Sequence, residues 1–134
     1  MYTFQDLKEI IAKLRSQEGC PWDREQTFES LKKCLADETQ EVFEAIDQND
    51  MENLCEELGD VLMLVLLNSQ IADEKGAFTI EQVIDGVSEK MIRRHPHVFG
   101  DAQVNSTKEG LDLWNQIKAQ EKAEKRRKCL DKSQ

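Results

Sequence analysis

Between Leu58 and Leu67 the chain reads Leu-Gly-Asp-Val-Leu-Met-Leu-Val-Leu-Leu, which on a helix is apolar on almost every side. Such a helix has to be wrapped by other elements. Its longest unbroken apolar run, Val61 to Leu67, is seven residues, where a membrane span needs about 20. The wrapping is therefore expected from protein rather than lipid. With 134 residues, 39% hydrophobic and 34% charged, the chain has the size and balance of one ordinary folded domain.

Apolar period and punctuation supply the wrapping elements. The first helix is expected from about Thr3 to Ser16, with Leu7, Ile10, Ile11 and Leu14 on one side. Gly19 and Pro21 then break the chain into a loop. A second helix is expected over about Thr27–Gln48. Asp50 is placed to cap a third, which stops at Lys75-Gly76 with Gly76 in the C′ position. Thr79-Ile-Glu-Gln82 has capping-box spacing and opens a fourth, which Pro96 ends at His95. Ser106-Thr-Lys-Glu109 repeats the box and opens the fifth. The pattern predicts an all-α fold, an up-and-down bundle of four to five helices, with residues 1–120 as the domain and 121–134 as a charged C-terminal helix end.

Some charges lie on the wrong faces. In the second helix Leu31, Leu35, Val42, Ala45 and Ile46 define the apolar stripe; Glu38 falls inside it and Glu41 on its edge. In the third, Glu57 and Asp60 sit on the Val61/Leu64/Ile71 side, three residues apart and so neighbours on the surface. Any single one of these acids could rest on the rim of the core and reach solvent. Four together repel one another and resist burial, so something positive has to offset them. An all-oxygen donor set with no His or Cys fits a hard divalent cation, Mg²⁺ or in its place Mn²⁺.

Bases are misplaced as well. Lys90 and Arg94 fall on the apolar side of the fourth helix, and Trp114 and Lys118 share a face of the fifth. Snorkelling stems explain such placements in many helices. Beside an acidic metal cluster they also suit a polyphosphate, whose distal oxygens need cations. Trp22, in a Pro-Trp-Asp loop, either stacks on a base or plugs the end of the bundle. His95 and His97 flank Pro96 and are expected to cap and pack.

Charge narrows the partners. The chain carries 18 Lys and Arg against 27 Asp and Glu, a net charge of −9, which disfavours a nucleic-acid backbone as ligand. The tail from Glu121 runs the other way, with six bases and three acids. Cys20, Cys34, Cys55 and Cys129 show no C-x-x-C pair, and the N-terminus shows no basic segment leading into an apolar one. Reduced thiols, no membrane association and a cytoplasmic location are the expectation.

Five motifs occur in order: Leu14-Arg15; Gly19-Cys-Pro-Trp-Asp23; Asp37-Glu-Thr-Gln-Glu41; Glu57-Leu-Gly-Asp60; and Arg93-Arg-His-Pro-His-Val-Phe99. Together they resemble the MazG family of nucleoside triphosphate pyrophosphohydrolases over about residues 5–120. The resemblance implies an all-α, homodimeric or tetrameric enzyme that converts NTP and water to NMP and pyrophosphate with Mg²⁺, in housekeeping of nucleotide pools. It implies Glu38, Glu41, Glu57 and Asp60 as metal ligands, Glu38 or Glu41 as the group that activates water, and Lys90, Arg94, Trp114 and Lys118 as phosphate and base contacts. Asp37 stands where the family usually has Glu, and Asn53 where some relatives have a base. Two alternatives stay open: a weakly active or non-catalytic regulatory bundle, and a pyrophosphatase of narrower substrate such as dUTP or phosphoribosyl-ATP.

Overall fold

The computed structural model describes residues 1–132. Among them secondary structure is entirely helical: α1 Phe4–Leu14, α2 Pro21–Glu25, α3 Phe28–Asp47, α4 Met51–Glu74, α5 Ile80–Arg94, α6 Pro96–Phe99 and α7 Thr107–Lys132. No described helix is long and apolar enough to cross a membrane. The last two residues of the expected charged tail, 133–134, lie outside the described residues. The chain divides into two compact units, Met1–Val83 and the part from Ile84 on, with the boundary inside α5.

In the first unit α4 packs along α3 and against α1. Ile11, Leu31, Leu64, Leu66, Leu67, Ile71 and Ile80 form the buried core, edged by Leu7, Leu14, Cys34, Met63 and Val83. The α3–α4 connection is only Gln48-Asn49-Asp50, and its chemistry explains that economy. Asn49 takes a left-handed φ of 52°. Its N–H donates to Ile46 O at 3.0 Å and that of Asp50 to Ala45 O at 2.9 Å, a Schellman end for α3. Asp50 then caps α4, its Oδ1 accepting from Asn53 N at 3.1 Å. The same C-terminal motif recurs at Gly76, with φ 70° and bonds from Gly76 N to Asp73 O and Ala77 N to Ala72 O. Thr79 and Gln82 exchange both bonds of the expected capping box.

Three details depart from expectation. The loop after Gly19 contains a five-residue helix, because Pro21 at its first position already has helical φ. Pro96 likewise opens the four-residue α6 instead of leading into irregular chain. At the start of α7 only half of the Ser106/Glu109 box forms: Glu109 N donates to Ser106 Oγ, but the Glu109 carboxylate accepts from Asn105 N, one residue upstream.

α4 is not wrapped on all sides by its own chain. Met51, Cys55, Leu58, Leu62 and Val65, at alternating spacings of four and three, are all exposed. On α3 the expected stripe splits: Leu31 and Ala45 are buried, whereas Leu35 and Ile46 are exposed along with Phe28 and Phe43. The stripe is wider than the contacts one chain supplies.

The second unit contains the rest of α5, with α6 and α7. Arg93 and Arg94 of α5 both bind Glu121 of α7. α7 runs unbroken through position 120 to Lys132 and buries no residue fully.

Candidate metal centre

Glu38 lies seven residues after Leu31 and seven before Ala45, both buried, so it occupies a core position of α3. Glu57 precedes the buried Leu64 by seven residues and Ile71 by fourteen, so it shares their core face of α4. The hairpin then brings the helices into register. Glu41 and Glu57 are each eight residues from Asn49, and Glu38 and Asp60 each eleven. Each of the four acids offers a carboxylate oxygen, and these oxygens all lie within 4.8 Å of one another. Glu57 is buried, Glu38 and Asp60 half-buried, and Glu41 exposed.

Among the described residues no Lys or Arg forms an ion pair with these acids. Asp37 is not among them; it is exposed and pairs with Lys33 at 2.7 Å on the same helix. Glu38 Oε2 and Glu57 Oε2 are buried with no hydrogen-bond partner. The Glu57 carboxyl is pushed up to about 8, first by the hydrogen bond it shares with Glu41, then by burial and by Glu38. Burial is also the main reason the Glu38 carboxyl is raised. Two orphaned buried oxygens in an all-carboxylate donor set are what a hard divalent cation would satisfy. The residues present fit such an ion.

Lys90, Arg94, Trp114 and Lys118 belong to the second unit. Lys90 is exposed, and Trp114 and Lys118 are half-buried. Arg94 Cζ lies 5.2 Å from the Trp114 ring centroid, within cation–π range. Its Nε and Nη2 donate to Glu121 Oε2 at 3.2 and 2.7 Å, and Arg93 Nε donates to Oε1 at 2.6 Å. The two arginines hold the Glu121 carboxyl down at about 2. His95 packs as expected, its ring T-shaped to Trp114 with centroids 5.2 Å apart and its Nδ1 2.6 Å from Met91 O, but at the N-cap of α6 its side chain makes no capping bond. Trp22, in the first unit, is 56% exposed and plugs nothing.

Two residues were given no role by the sequence. Glu121 carried a usable signal, since it follows Trp114 by seven residues on one helix face. Arg15 stood only as a member of the Leu14-Arg15 motif. Its side chain is only 9% exposed; Nε pairs with Glu74 at 2.7 Å, and Nη1 donates to Asp23 O and Gln26 O, which pins α2 and its flanks.

The fold and the cluster define an all-helical protein with a carboxylate centre built on a helical hairpin. The chain belongs to the MazG nucleotide pyrophosphohydrolase domain family, which matches residues 26–99, a family of metal-dependent pyrophosphohydrolases. It is 55% identical over 123 residues to the nucleoside triphosphate pyrophosphohydrolase/pyrophosphatase MazG of Thermotoga maritima, covering 92% of this chain and 47% of that protein. It is 48% identical over 130 residues to the uncharacterized protein YabN of Bacillus subtilis, covering 97% of this chain and 27% of that one. The nucleoside triphosphate pyrophosphohydrolase of Escherichia coli K12 is 44% identical over 87% of this chain and 44% of its own. The chain thus spans about half the length, or less, of these relatives. A crystal structure of a mazG-related protein from Thermotoga maritima superposes with a TM-score of 0.71 at 36% identity, covering 86% of this chain and 98% of that one.

Proposed function

We propose that this chain is a Mg²⁺-dependent nucleoside triphosphate pyrophosphohydrolase, releasing NMP and pyrophosphate in the upkeep of nucleotide pools. The observation that carries the reading is the convergence of Glu38, Glu41, Glu57 and Asp60, with two buried oxygens left unpartnered, in a chain of this family. Those four residues would hold the metal; Mn²⁺, with the same preference for oxygen, is the expected substitute. A bound divalent ion supplies charge stabilisation to a phosphoryl group and makes water more acidic. Glu38 or Glu41 takes the proton of the water that attacks the α-phosphorus in line. Lys90, Arg94 and Lys118 hold the pyrophosphate leaving group, a task that needs positioned charge rather than a covalent intermediate. Trp114 and Trp22 offer ring faces to the base.

The minimal active unit in this reading is a homodimer. The exposed 4–3 series Met51, Cys55, Leu58, Leu62 and Val65 on α4 has coiled-coil spacing, and a second copy of the same seam is its natural cover. The reading is tested by incubating the full chain with a panel of NTPs and dNTPs and Mg²⁺, and quantifying the products. NMP with pyrophosphate supports it; NDP with orthophosphate overturns it.

A further inference from the structure

The second unit carries a surface groove of about 340 Å³ lined by Lys90, Arg93, Arg94, Lys125 and Lys128 together with Glu121 and Glu124. Five bases against two acids make it a place for an anion. An acid on the wall of such a groove opposes an anion unless its charge is engaged elsewhere. Glu121 is held by both arginines, with its side chain only 18% exposed.

The geometry of the contact defines that engagement. A guanidinium has two edges that can take an oxyanion: the side edge, Nε with one Nη, and the end edge, formed by the two Nη groups. Glu121 takes the side edge of Arg94 through Nε and Nη2. The Trp114 ring lies against the guanidinium at 5.2 Å. No hydrogen bond among the described residues uses Arg94 Nη1. The long side chain is therefore fixed on one edge and against one ring, while the end edge is left for another oxyanion.

We infer that Glu121 is a positioning residue for anion binding: it clamps the side edge of Arg94 so that the end edge is presented, pre-aligned, to a phosphate group. The inference rests on the reading above that Arg94 contacts phosphate. The alternative role for the same carboxylate is a place-holder that a phosphate displaces, and the two make opposite predictions. A positioning carboxylate tightens binding and stays in place. A place-holder weakens binding and leaves.

The test is titration of the full-length chain with inorganic pyrophosphate by calorimetry, for the parent protein, Glu121→Gln, Glu121→Asp and Arg94→Ala, with an unfolding curve for each. Loss of one charge-assisted clamp is expected to weaken pyrophosphate about tenfold in Glu121→Gln, with most of the loss recovered in Glu121→Asp. Equal or tighter binding by Glu121→Gln, with weak binding by Arg94→Ala, overturns the role of Glu121 alone. Parent-like binding by Arg94→Ala overturns the reading of Arg94 and the inference with it. A measurement that needs no substitution is the Arg94 Nε–H resonance of the parent protein. Continued protection from solvent exchange as pyrophosphate is added is the expected result; its release on binding overturns the inference.

Discussion

Glu38 and Glu57 each bury one carboxylate oxygen, Oε2, with no donor to receive it, and they do so in the same cluster. Both occupy positions that the seven-residue spacing of the core would otherwise give to Leu or Ala. The cluster is thus a patch of hydrophobic seam converted to carboxylates, whose mutual repulsion is left uncompensated by any Lys or Arg among the described residues.

Replacing the charge while keeping the shape separates function from stability. Glu57→Gln is expected to lower turnover roughly 100-fold or more and to raise the thermal midpoint of the metal-free protein above about pH 8, where the Glu57 carboxyl is ionised, because it removes the repulsion without leaving a void. Glu38→Gln, Glu41→Gln and Asp60→Asn should show the same loss of turnover. Parent-like hydrolysis by all four variants would remove these residues from the site.

Metal binding should release protons near neutral pH. With the Glu57 carboxyl at about 8 in the metal-free chain, a ligand ion has to displace its proton at pH 7 but scarcely at pH 9. The sign for stability follows: a folded value raised above the unfolded one contributes fully below the unfolded value, and that contribution is lost as pH rises through about 8. Calorimetry of Mg²⁺ binding in buffers of different ionisation enthalpy checks the first statement. Heat independent of buffer at pH 7 would contradict it.

Glu121 should behave in the opposite way. Arg94 and Arg93 hold it down at about 2, so its contribution to stability is present above the unfolded carboxylate value and is lost as pH falls toward 2. Acid titration of the parent protein and Glu121→Gln, followed by the near-ultraviolet signal of Trp114, should show a difference between them that shrinks as pH drops below about 4.5. A difference constant with pH would mean the ion pairs contribute nothing.

The exposed seam on α4 makes a prediction about mass. Sedimentation equilibrium at micromolar concentration should give twice the single-chain value for the parent protein. Leu58→Glu with Leu62→Glu should give the single-chain value, since two charges facing their own copies weaken association at least about 100-fold. A parent protein that stays a single chain while active would contradict the dimer.

Arg15 can be examined through stability alone. Its nearly buried guanidinium makes charge-assisted bonds to Glu74, Asp23 O and Gln26 O, and Arg15→Gln should cost roughly 2–4 kcal/mol in denaturant unfolding. A cost below about 0.5 kcal/mol would show that the Cys20–Gln26 segment is held by other contacts.

The long helices were legible because short-range rules act within one segment: seven-residue spacing places Leu31 and Leu64 inward, and side chains such as Asp50 and Thr79 close caps a few residues away. The placing of Glu38, Glu57 and Asp60 on apolar faces, with Glu41 on the edge of its stripe, was legible for the same reason, since a carboxylate at such a position is anomalous whatever its partners. The helices opened by Pro21 and Pro96 were not, because four or five residues contain no period. Nor was the pairing of Arg94 with Glu121, which lies 27 residues further along the chain. Leu35 and Ile46 share one apolar stripe with Leu31 by spacing; only packing reveals that this stripe serves two directions.

The equal spacing of the four acids about Asn49 limits how this chain can change in length. One residue inserted within α3 after Glu41, or within α4 before Glu57, carries an acidic pair about 1.5 Å along and 100° around its helix, out of the cluster. Insertions confined to Gln48-Asn49-Asp50 leave both helical phases untouched, and so does a matched lengthening of both arms by two whole turns, seven residues each. Among related hairpins, the number of residues between the two acidic pairs should therefore vary in the loop or in such paired steps, and rarely by a single residue inside either arm.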